Sequence, residues 1–578
     1  MVDASERPTR VFIGVAWPYA NGPRHIGHAA GANVPADVFA RFQRLMGRDV
    51  LMVSGSDMHG TPITFVADQR GTTPRAVAEE NHAVIAEAFT RLGCSFDLYT
   101  TTLTENHYRV TQDMFLRLLD NGYLFQQTTV AAFDAELGRF LPDRYIEGIC
   151  PHCGYHGARG DQCDNCGRTL DPFDLIEPRS RLSGTTPVPK ETTHFFLDLP
   201  KFSDQLSAWI EAKRAFWRPN VGAFVLNWIR EGLKPRAITR DLDWGVPVPV
   251  EGFEDKRIYV WFDAVIGYLS AAIEWADRQG EPDAWRRWWD LVDDSEQLRS
   301  YYFVGKDNIP FHALIWPAML MGYGGLELPY DVPANEFLTV GGEKISSSRA
   351  TTTDRLPWLH EALDLFDADA LRYFLTINAP ENRDTDFSWA EFQRRNNDEL
   401  VATYGNAVHR VLRFIGTRLD GVVPQPGALQ QEDTAMLATV ESTFEQAGER
   451  LERVRLRDGL ATVMGLAHEL NRYLDTAAPW KRLKDDPERA RTSLWVSVQV
   501  IAALRTLTAP FLPFSAAKVH DYLGETAPFA ALAWKPLEVP AGRVLGEPVP
   551  LFRKLDDEEL TSLLDRLVPE AVTTGEPT

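Results

Sequence analysis

The chain reads VFIGVAWPYANGPRHIGH from Val11 to His28, and this stretch decides how its first half is interpreted. The apolar residues from Val11 to Ala16 predict a strand buried on both faces, as in a parallel sheet covered by helices. A loop follows, and a helical pattern that continues through Leu45 begins at His25. A strand that leads through a loop into a helix N-terminus is typical of an α/β nucleotide-binding sheet.

The four residues from His25 to His28 are candidates for binding phosphate. His25 and His28 stand three positions apart, so their side chains share one face of the predicted helix. A helix N-terminus offers unpaired N–H groups and a partial positive charge, which suit a triphosphate, and Gly27 lets a nucleotide approach the backbone. In isolation, these four residues favour the interpretation that two solvated histidines stand at a helix start. Pro35 predicts a kink or a restart of this helix.

Further apolar runs extend the pattern along the chain. Three more strands are predicted at Val50–Val53, Ile258–Phe262 and Tyr301–Val304. The segment between the first and the second of these holds a cysteine cluster and several Pro and Gly turns. We expect one sheet that is split by an insertion. After about residue 390 the strand-like runs end and apolar residues recur at helical spacing, which predicts a helical bundle; the spacing is clearest at Leu460, Val463, Ala467, Leu470 and Leu474.

The predicted fold class is therefore α/β, with a Rossmann-like parallel sheet that a zinc-knuckle insertion splits, followed by an α-helical bundle. A chain of 578 residues exceeds the ~250–300 residues that one hydrophobic core usually serves. The expected divisions are 1–115 and 246–330 for the two halves of the sheet domain, 116–245 for the insertion, 331–390 for a connecting region, 391–550 for the bundle and 551–578 for a C-terminal tail.

Composition limits the partners and the compartment. A formal charge of -21 excludes a surface that is basic all over, so a nucleic acid would have to meet a local basic patch. No apolar run approaches the ~18–20 residues of a membrane span, and the polar N-terminus lacks the apolar core of a signal peptide. We expect a cytoplasmic protein without a membrane partner.

The cysteines predict a metal centre. Cys150-x-x-Cys153 and Cys163-x-x-Cys166 are separated by nine residues, which is a zinc-ligand pattern. Four thiolates fill a tetrahedral site and leave no open position, so the expected Zn²⁺ is a single structural ion. Cys94 stands apart and is expected to be a small buried side chain.

Two further segments are candidates for the nucleotide site. The loop GGEKISSSR, from Gly341 to Arg349, combines glycines with Lys344 and three hydroxyl groups, and can fold over a polyphosphate. Gly305-Lys306-Asp307 follows a predicted strand, where an open α/β sheet places its ligands and where Asp307 can hydrogen-bond a ribose.

In this order, the segments resemble the class I aminoacyl-tRNA synthetases, whose two signatures are written HIGH and KMSKS. The first is present letter for letter, and the second appears as KISSS from Lys344 to Ser348, with Ser347 in place of the second lysine. From Val11 to about Val549 the chain is similar to the methionyl-tRNA synthetases of that class. The resemblance rests on AWPYANG at 16–22, DMHGTP at 57–62, FLPDR at 140–144, VWFDAVIGY at 260–268, the segment 305–312 and WPAM at 316–319.

The resemblance implies a two-step reaction in which methionine and ATP give methionyl adenylate and pyrophosphate, and the methionyl group then passes to the 3′ end of tRNA. It implies that His25, His28 and Lys344 stabilise the developing charge, with Mg²⁺ accompanying ATP. The implied partners are ATP, L-methionine and the initiator and elongator tRNA(Met). The implied ATP-binding residues are His25, Gly27, His28, Gly305, Asp307, Lys344, Ser347 and Ser348.

The resemblance also implies a methionine pocket and an anticodon site. In the pocket, Trp17 stands where leucine is frequent in the family, and Val265 where proline is frequent. The pocket residues are Ala16, Trp17, Tyr19, Asp57, Trp261, Ala264, Tyr268 and His312, and the anticodon residues are Asn406, Arg410 and Trp480. Aromatic walls suit a thioether, Asp57 suits an ammonium group, and stacking on tryptophan suits a single-stranded base. A monomer is expected.

Two alternatives remain at this point. Synthetases for leucine, isoleucine, valine or cysteine share the fold and the signatures, but the first three carry a large editing domain, for which the segment 116–245 is too short. The other alternative is a tRNA-binding or regulatory protein that has lost catalysis, for which Ser347 is the only support.

Overall fold

The computed structural model of the chain describes residues 9–142, 145–160, 163, 165–166, 170–291, 298–340, 343–344 and 357–565. Ser347, Ser348 and most of the KISSS loop lie outside the described residues, and of Lys344 only the backbone is described. Among the described helices, none is both long and apolar enough to cross a membrane.

Five parallel strands form the central sheet. In spatial order they are Ala334–Asn335, Leu298–Gly305, Arg10–Val15, Asp49–Ser56 and Leu98–Thr101. The first strand of the chain, Arg10–Val15, lies in the middle. In chain order, the next two of these strands extend the sheet to one side, and the last two extend it to the other. Such a switch point opens a crevice beyond the carboxyl ends of the two central strands, where open α/β sheets bind ligands. The predicted parallel sheet is confirmed.

The first helical segment begins at the carboxyl end of the middle strand. It consists of the turn Ile26–His28, a π-helical stretch Ala29–Asn33 and the α-helix Val34–Leu45, with no break between them. Pro35 lies in the first turn of the α-helix, directly after the π-helical stretch. Since proline lacks an N–H, the shift in the hydrogen-bond ladder just before it lets the helical path continue.

One predicted strand is wrong. Within the run Ile258–Phe262, only Ile258 belongs to a strand, the short strand Arg257–Ile258, and the helix Val260–Gln279 begins two residues later. A short apolar run does not by itself distinguish a buried strand from a buried helix. Here the apolar pattern continues far beyond the run, and the helix is largely buried between the central sheet and the helix Glu105–Asp120.

The long connection between the strands Leu98–Thr101 and Leu298–Gly305 contains antiparallel sheets. The larger one has the order Arg236–Ala237, Val188–Leu197, Leu124–Asp134 and Arg139–Phe140. A smaller sheet, Ala158–Arg159, Ile146–Ile149 and Ile176–Ser180, surrounds the cysteine cluster, and Thr239–Arg240 pairs with Arg257–Ile258. The predicted insertion into the parallel sheet is therefore confirmed.

Helices pack on both faces of the central sheet, and others belong to the insertion. They are Thr61–Arg70, Pro74–Arg91, Glu105–Asp120, Leu199–Phe202, Ser203–Lys213, Pro219–Glu231, Val260–Gln279, Ala284–Trp288, Lys306–Asn308, Phe311–Ile315 and Trp316–Tyr323. A third small sheet, Glu343–Lys344, Leu338–Val340 and Thr385–Asp386, follows the central sheet, together with the helices Leu359–Leu365, Ala368–Ile377, Trp389–Arg395 and Asn396–Gly405.

The C-terminal part is a helical bundle, as predicted. Its helices are Asn406–Arg418, Gln431–Glu452, Leu456–Ala477, Pro479–Arg482, Pro487–Thr508 and Pro513–Tyr522, followed by the short helices Phe529–Ala531 and Asp557–Asp565. The apolar positions at helical spacing all face the core, and Leu460, Val463, Ala467, Leu470 and Leu474 are completely buried. The helix Pro487–Thr508 is buried on nearly all sides and forms the centre of the bundle.

Candidate active site and metal centre

His25 and His28 lie at the switch point of the central sheet, and their ring centroids are 4.0 Å apart. His25 caps the first helical turn, because its Nδ1 accepts a hydrogen bond from the N–H of Gly27 at 3.1 Å. Burial and the neighbouring Arg24 lower the pKa of His25 to about 4, and burial, His25 and Arg24 hold the pKa of His28 well below its usual value. Both rings are therefore neutral at pH 7, and the buried Nδ1 of His28 has no hydrogen-bond partner among the described residues.

Arg24 fixes the loop that precedes the histidines. Its guanidinium donates to the carbonyl of Tyr19 at 2.5 Å, to Asn21 Oδ1 at 2.6 Å and to the carbonyl of Gly22 at 2.8 Å. Because these contacts gather the loop around one buried cation, they hold in place both the aromatic residues before it and the histidines after it. The sequence interpretation missed this role; a lone arginine in a Pro- and Gly-containing loop was its only signal.

The chain beyond the KISSS loop contacts the histidine segment where the described residues resume at Pro357. Trp358 forms a β-bridge with His25, and the N–H of Leu359 donates to the carbonyl of Arg24 at 2.7 Å. On the other side of the loop, Lys344 pairs with Thr339 in a short antiparallel hairpin. The described residues on both sides of the segment 345–356 are thus anchored, and those that follow it, Trp358 and Leu359, lie beside the HIGH residues.

Gly305 ends a strand of the central sheet next to the middle strand, and Asp307 lies in the short helical turn that follows. This is the predicted position at the carboxyl edge of the sheet. The intervening Lys306 is held by Glu336 at 2.6 Å and Asp384 at 2.8 Å. Lys306 therefore fixes the turn, while the exposed Asp307 faces outwards from it.

The structure brings aromatic residues of the predicted methionine pocket together. Trp261 Nε1 donates to the Tyr19 hydroxyl at 2.8 Å, and Tyr19 forms a β-bridge with Asp57. Burial and then Asp57 hold the pKa of Tyr19 well above 10, so its hydroxyl stays protonated. Because that oxygen accepts from the indole, its own hydrogen is directed elsewhere.

Tyr268 and His312 form a second pair in the pocket, 2.7 Å apart. His312 Nδ1 faces the carbonyl of Asn308 at 2.9 Å and must carry the hydrogen there, because a carbonyl only accepts. Burial lowers the pKa of His312 to about 4, so the ring is neutral and its Nε2 accepts from the Tyr268 hydroxyl. Both nitrogens of His312 are thus engaged within the protein.

Trp17 lies between two glycines on different elements. A Cβ at Gly55 would stand 2.2 Å from Trp17 Cζ3, and a Cβ at Gly267 would stand 2.8 Å from Trp17 Cε2. The ring also meets Tyr268 edge-on with centroids 6.3 Å apart. The tryptophan therefore fits because neither neighbour has a side chain. Ala16 and Ala264 are partly buried, one at the end of the middle strand and the other in the helix that carries Trp261.

Asp57 is buried at the end of a strand, with 2 % of its surface exposed. Its Oδ1 accepts from the N–H of His59 at 3.1 Å, and no cationic side chain among the described residues lies within ion-pair distance of it. Burial, followed by the charge of Asp263, holds the pKa of Asp57 well above its usual value. A buried carboxylate without a cation suits a ligand that brings a positive charge.

The sequence interpretation also missed a buried cluster beside Asp57, formed by Asp263, His59 and His107. Asp263 Oδ2 lies 2.6 Å from His59 Nδ1, and its other oxygen contacts His107. The signal was an acidic residue inside the apolar run that continues from Val260, at a position that a helix buries completely.

The four predicted zinc ligands converge. The Sγ atoms of Cys150, Cys153, Cys163 and Cys166 all lie within 4.8 Å of one another, and two pairs are separated by 3.8 Å and 3.6 Å. Zn–S bonds of ~2.3 Å give a tetrahedron with edges of ~3.8 Å, whereas a disulfide requires ~2.05 Å. The N–H of Tyr155 and then Asn165 lower the pKa of Cys153 to about 6, which favours a thiolate. The cluster fits a structural zinc ion.

The predicted anticodon residues lie on two neighbouring bundle helices. The Arg410 guanidinium lies over the Trp480 ring, 4.0 Å from its centroid, and its Nε has no hydrogen-bond partner among the described residues. Asn406 is exposed one turn before Arg410 on the same helix. Trp480 is partly buried against Phe414, with centroids 6.2 Å apart, and Lys481, Arg482 and Lys484 beside it are exposed. Arg410 Nη2 lies 3.7 Å from a carboxylate oxygen of Asp475. The cluster combines an aromatic ring, an Nε donor without a partner among the described residues, and local positive charge.

Comparisons with known families match both parts of the chain. Residues 11–412 match the family model described as tRNA synthetases class I (M). Residues 423–570 match the model described as the anticodon binding domain of methionyl tRNA ligase.

Individual proteins match over nearly the full length. The chain is 52% identical to the methionine–tRNA ligase of Roseiflexus castenholzii, covering 97% of this chain and 99% of that one. It is 51% identical to that of Chloroflexus aggregans, over 97% and 100%. The crystal structure of the Mycobacterium tuberculosis methionyl-tRNA synthetase bound by methionyl-adenylate aligns with a TM-score of 0.76 at 27% identity, covering 95% of this chain and 100% of that chain.

Proposed function

The chain belongs to the class I methionyl-tRNA synthetases, and from this premise we propose how its own residues carry out the reaction of a methionine–tRNA ligase. The central observation is the arrangement at the sheet's switch point, where the neutral pair His25 and His28 lies at the edge that also carries Asp57 and its aromatic neighbours. One crevice then holds the triphosphate and the amino acid side by side, so the two reacting groups meet in a fixed orientation.

In the first step, a carboxylate oxygen of methionine attacks the α-phosphorus of ATP, and the bond to pyrophosphate breaks. His25 and His28 donate hydrogen bonds to the phosphate oxygens as charge builds on them, with Gly27 allowing close approach. The support is their position at the start of a helix, together with the unpartnered Nδ1 of His28. Mg²⁺ bound with ATP would neutralise part of the triphosphate charge.

Three further elements would complete the nucleotide site. Gly305 and Asp307 hold the ribose side, since they follow the strand next to the middle strand. Lys344 contacts the departing pyrophosphate, and Ser347 and Ser348 donate from the same loop. Support for the loop comes from the described residues that flank it, since Lys344 pairs with Thr339 and Trp358, after the loop, pairs with His25. No second lysine is needed if Lys344 alone carries this charge.

In the methionine pocket, Asp57 pairs with the substrate ammonium, and the aromatic rings surround the thioether. Of Tyr19 and His312, Tyr19 is the better donor to the sulfur, because its hydroxyl accepts from Trp261 and keeps its own hydrogen. His312 acts through Tyr268, since both of its nitrogens are engaged. Ala16, Trp17, Trp261, Ala264 and Tyr268 shape the walls. In the second step, the terminal ribose hydroxyl of tRNA attacks the methionyl carbonyl and AMP leaves.

Outside the crevice, we propose that Cys150, Cys153, Cys163 and Cys166 hold one structural Zn²⁺, and that Asn406, Arg410 and Trp480 read the anticodon of initiator and elongator tRNA(Met). The zinc would stabilise the small sheet of the insertion without taking part in a proton transfer. The support for the anticodon site is the stacked Arg410–Trp480 pair, whose Nε donor has no partner among the described residues. A cytoplasmic monomer remains our expectation.

The test is ATP–pyrophosphate exchange with methionine, leucine, isoleucine, valine and cysteine, each at saturating concentration. We expect exchange with methionine and little with the others. Absence of exchange with every amino acid would identify a non-catalytic relative, and faster exchange with another amino acid would refute the proposed pocket.

A further inference from the structure

Asp263 lies in the first turn of the helix Val260–Gln279, two residues after Trp261, yet its side chain is turned away from the pocket and is completely buried. One carboxylate oxygen contacts His59 Nδ1 at 2.6 Å and the other contacts His107 Nε2. A fully buried carboxylate costs free energy unless it is hydrogen-bonded, and here each of its oxygens is contacted by an imidazole nitrogen.

The outer nitrogens of the two histidines are also occupied. His59 Nε2 lies 3.1 Å from the Tyr108 hydroxyl, and His107 Nδ1 lies 2.8 Å from Ser270 Oγ. Each imidazole is therefore held on both sides, which fixes the orientation of its ring. Tyr108 and His107 belong to the helix Glu105–Asp120, so Asp263 connects three separate parts of the chain.

The connection reaches Asp57 through the backbone. The N–H of His59 donates to Asp57 Oδ1 at 3.1 Å, and the side chain of the same residue is anchored on Asp263. The helix that carries Trp261 is thereby tied to the loop that carries Asp57. These are two walls of the proposed methionine pocket.

Charge also couples the two carboxylates. The titratable groups that face Asp57 and Asp263 are Tyr19, His59, His107 and Tyr108, together with the two carboxylates themselves. Burial and the charge of Asp263 hold the pKa of Asp57 above its usual value, while His59 and His107 outweigh burial and lower the pKa of Asp263 to about 2. Asp263 is therefore ionised at neutral pH and adds negative potential beside the place where an ammonium group would lie.

We propose that Asp263, acting through His59 and His107, is a positioning residue that orients Asp57 and sets its affinity for the ammonium group of methionine. This inference rests on the proposed role of Asp57. It assigns Asp263 no contact with methionine or ATP, since its side chain is enclosed by the two imidazoles. The expected consequence is a change in methionine binding, with ATP binding unaffected.

The experiment measures the dissociation constant of methionine by calorimetry between pH 5.5 and 8.5 for the full chain and for Asp263→Asn. Above the pKa of Asp57, where this group is ionised in both proteins, we expect Asp263→Asn to weaken binding about tenfold, because the negative potential and the fixed geometry are lost. As pH falls through that pKa, Asp57 becomes protonated and affinity declines. Because Asp263→Asn removes a like charge, the decline should move to lower pH.

Glu274→Gln is the matched control. Glu274 is a buried carboxylate of the same helix that accepts from Thr100 at 2.8 Å, away from His59 and His107. It should leave both the affinity and the pH midpoint unchanged. Equal effects of the two variants on methionine binding would reduce the role of Asp263 to packing and overturn the proposal.

A second variant, His107→Gln, should shift the pH midpoint of methionine binding in the opposite direction. This variant removes the imidazole that contacts one oxygen of Asp263, so the negative charge of Asp263 acts more strongly on Asp57. The pH at which Asp57 becomes protonated, and at which methionine affinity declines, should therefore rise. If Asp263→Asn does not fold, the pH midpoint of His107→Gln tests the proposal by itself, and a midpoint equal to that of the unchanged chain would refute it.

Asp57→Asn tests the proposed role of Asp57 separately from that of Asp263. If Asp57→Asn does not weaken methionine binding, the proposed role of Asp57 fails. If Asp57→Asn weakens binding but Asp263→Asn does not, only the present inference fails. If both hold, the double variant should bind about as weakly as Asp57→Asn alone, because the effect of Asp263 requires Asp57.

Discussion

At the scale of single residues, the neutrality of His25 and His28 decides what they can do. Burial is the largest cause of their lowered pKa values, and Arg24 and their own proximity add to it. A neutral imidazole keeps one N–H, so each ring can still donate one hydrogen bond to a phosphate, and in His25 that donor is Nε2 because Nδ1 accepts from Gly27. Activity between pH 6 and 8 should accordingly show no titration of these rings.

We predict that His28→Ala slows ATP–pyrophosphate exchange ~10²–10³-fold, the cost of removing one donor to a developing charge, ~2.7–4 kcal/mol. Its Nδ1 has no partner among the described residues, so the fold should lose little. Exchange rate and thermal unfolding are measured on the same preparation. A folded variant with unchanged exchange would contradict the assignment.

Gly55 illustrates how a residue without a side chain makes room for Trp17, a wall of the proposed methionine pocket. Alanine there would place its Cβ 2.2 Å from Trp17 Cζ3 and 2.4 Å from the carbonyl oxygen of Thr100. We predict that Gly55→Ala lowers the free energy of unfolding by ~1–3 kcal/mol through overpacking and raises the KM for methionine more than that for ATP.

Denaturant unfolding and exchange kinetics check this prediction, with Gly416→Ala as control. Gly416 lies exposed in the helix Asn406–Arg418, and a Cβ there would meet no atom within 4 Å among the described residues. That substitution should be neutral or stabilise by up to ~1 kcal/mol, because alanine favours helix. A Gly55→Ala variant as stable and active as the control would show that Trp17 moves freely.

At the scale of elements, the small sheet of the insertion depends on its cysteines. Its buried apolar cluster is minor and includes Cys150 and Cys163 themselves. A unit with so little apolar core needs a metal or a cross-link to stay folded.

We predict one zinc ion per chain and expect Cys153→Ser to lose it, with faster proteolysis confined to the insertion. Elemental analysis and limited proteolysis measure the two effects. Cys94→Ala serves as control, since Cys94 lies outside the cluster and should retain the full zinc content. Wild-type protein that is purified without chelators and contains no metal would refute the site.

At the scale of the whole molecule, buried polar contacts join the bundle to the catalytic sheet. Arg372 is completely buried and donates to Asp37 at 2.6 Å and to the carbonyls of Pro510 and Phe511. Asp37 belongs to the helix that follows the HIGH residues, and Pro510 and Phe511 join two bundle helices. One guanidinium therefore fixes the bundle against the helix that follows the HIGH residues.

Because the proposed anticodon residues lie on bundle helices outside the crevice, a tRNA defect should be separable from an activation defect. We predict that Trp480→Ala weakens tRNA charging by ~1–3 kcal/mol through lost stacking, while amino-acid activation stays unchanged. Charging, exchange and thermal unfolding are measured together. Trp495→Ala, which removes a partly buried ring packed on the same bundle core, should instead lower stability without a specific charging defect.

Normal charging by Trp480→Ala would exclude this residue from anticodon binding. A loss of stability of ~3–5 kcal/mol would show that its ring serves packing, as its contact with Phe414 allows.

The sequence by itself determined the order of the parts: the strand and helix around His25, the four-cysteine cluster and the helical bundle. These features depend on local periodicity and on spacing, which the chain carries in full. Even so, the run Ile258–Phe262 was misassigned, because a short apolar segment does not say which faces its neighbours will cover.

Only the tertiary structure decided the contacts between distant segments. Asp263 meets His59 and His107, Trp17 lies between Gly55 and Gly267, and Arg372 joins the bundle to the sheet. In each case the residues are far apart in the chain, and which of them meet depends on how whole elements pack. Burial then sets the pKa of Asp57 and His28, and burial exists only once the elements have come together.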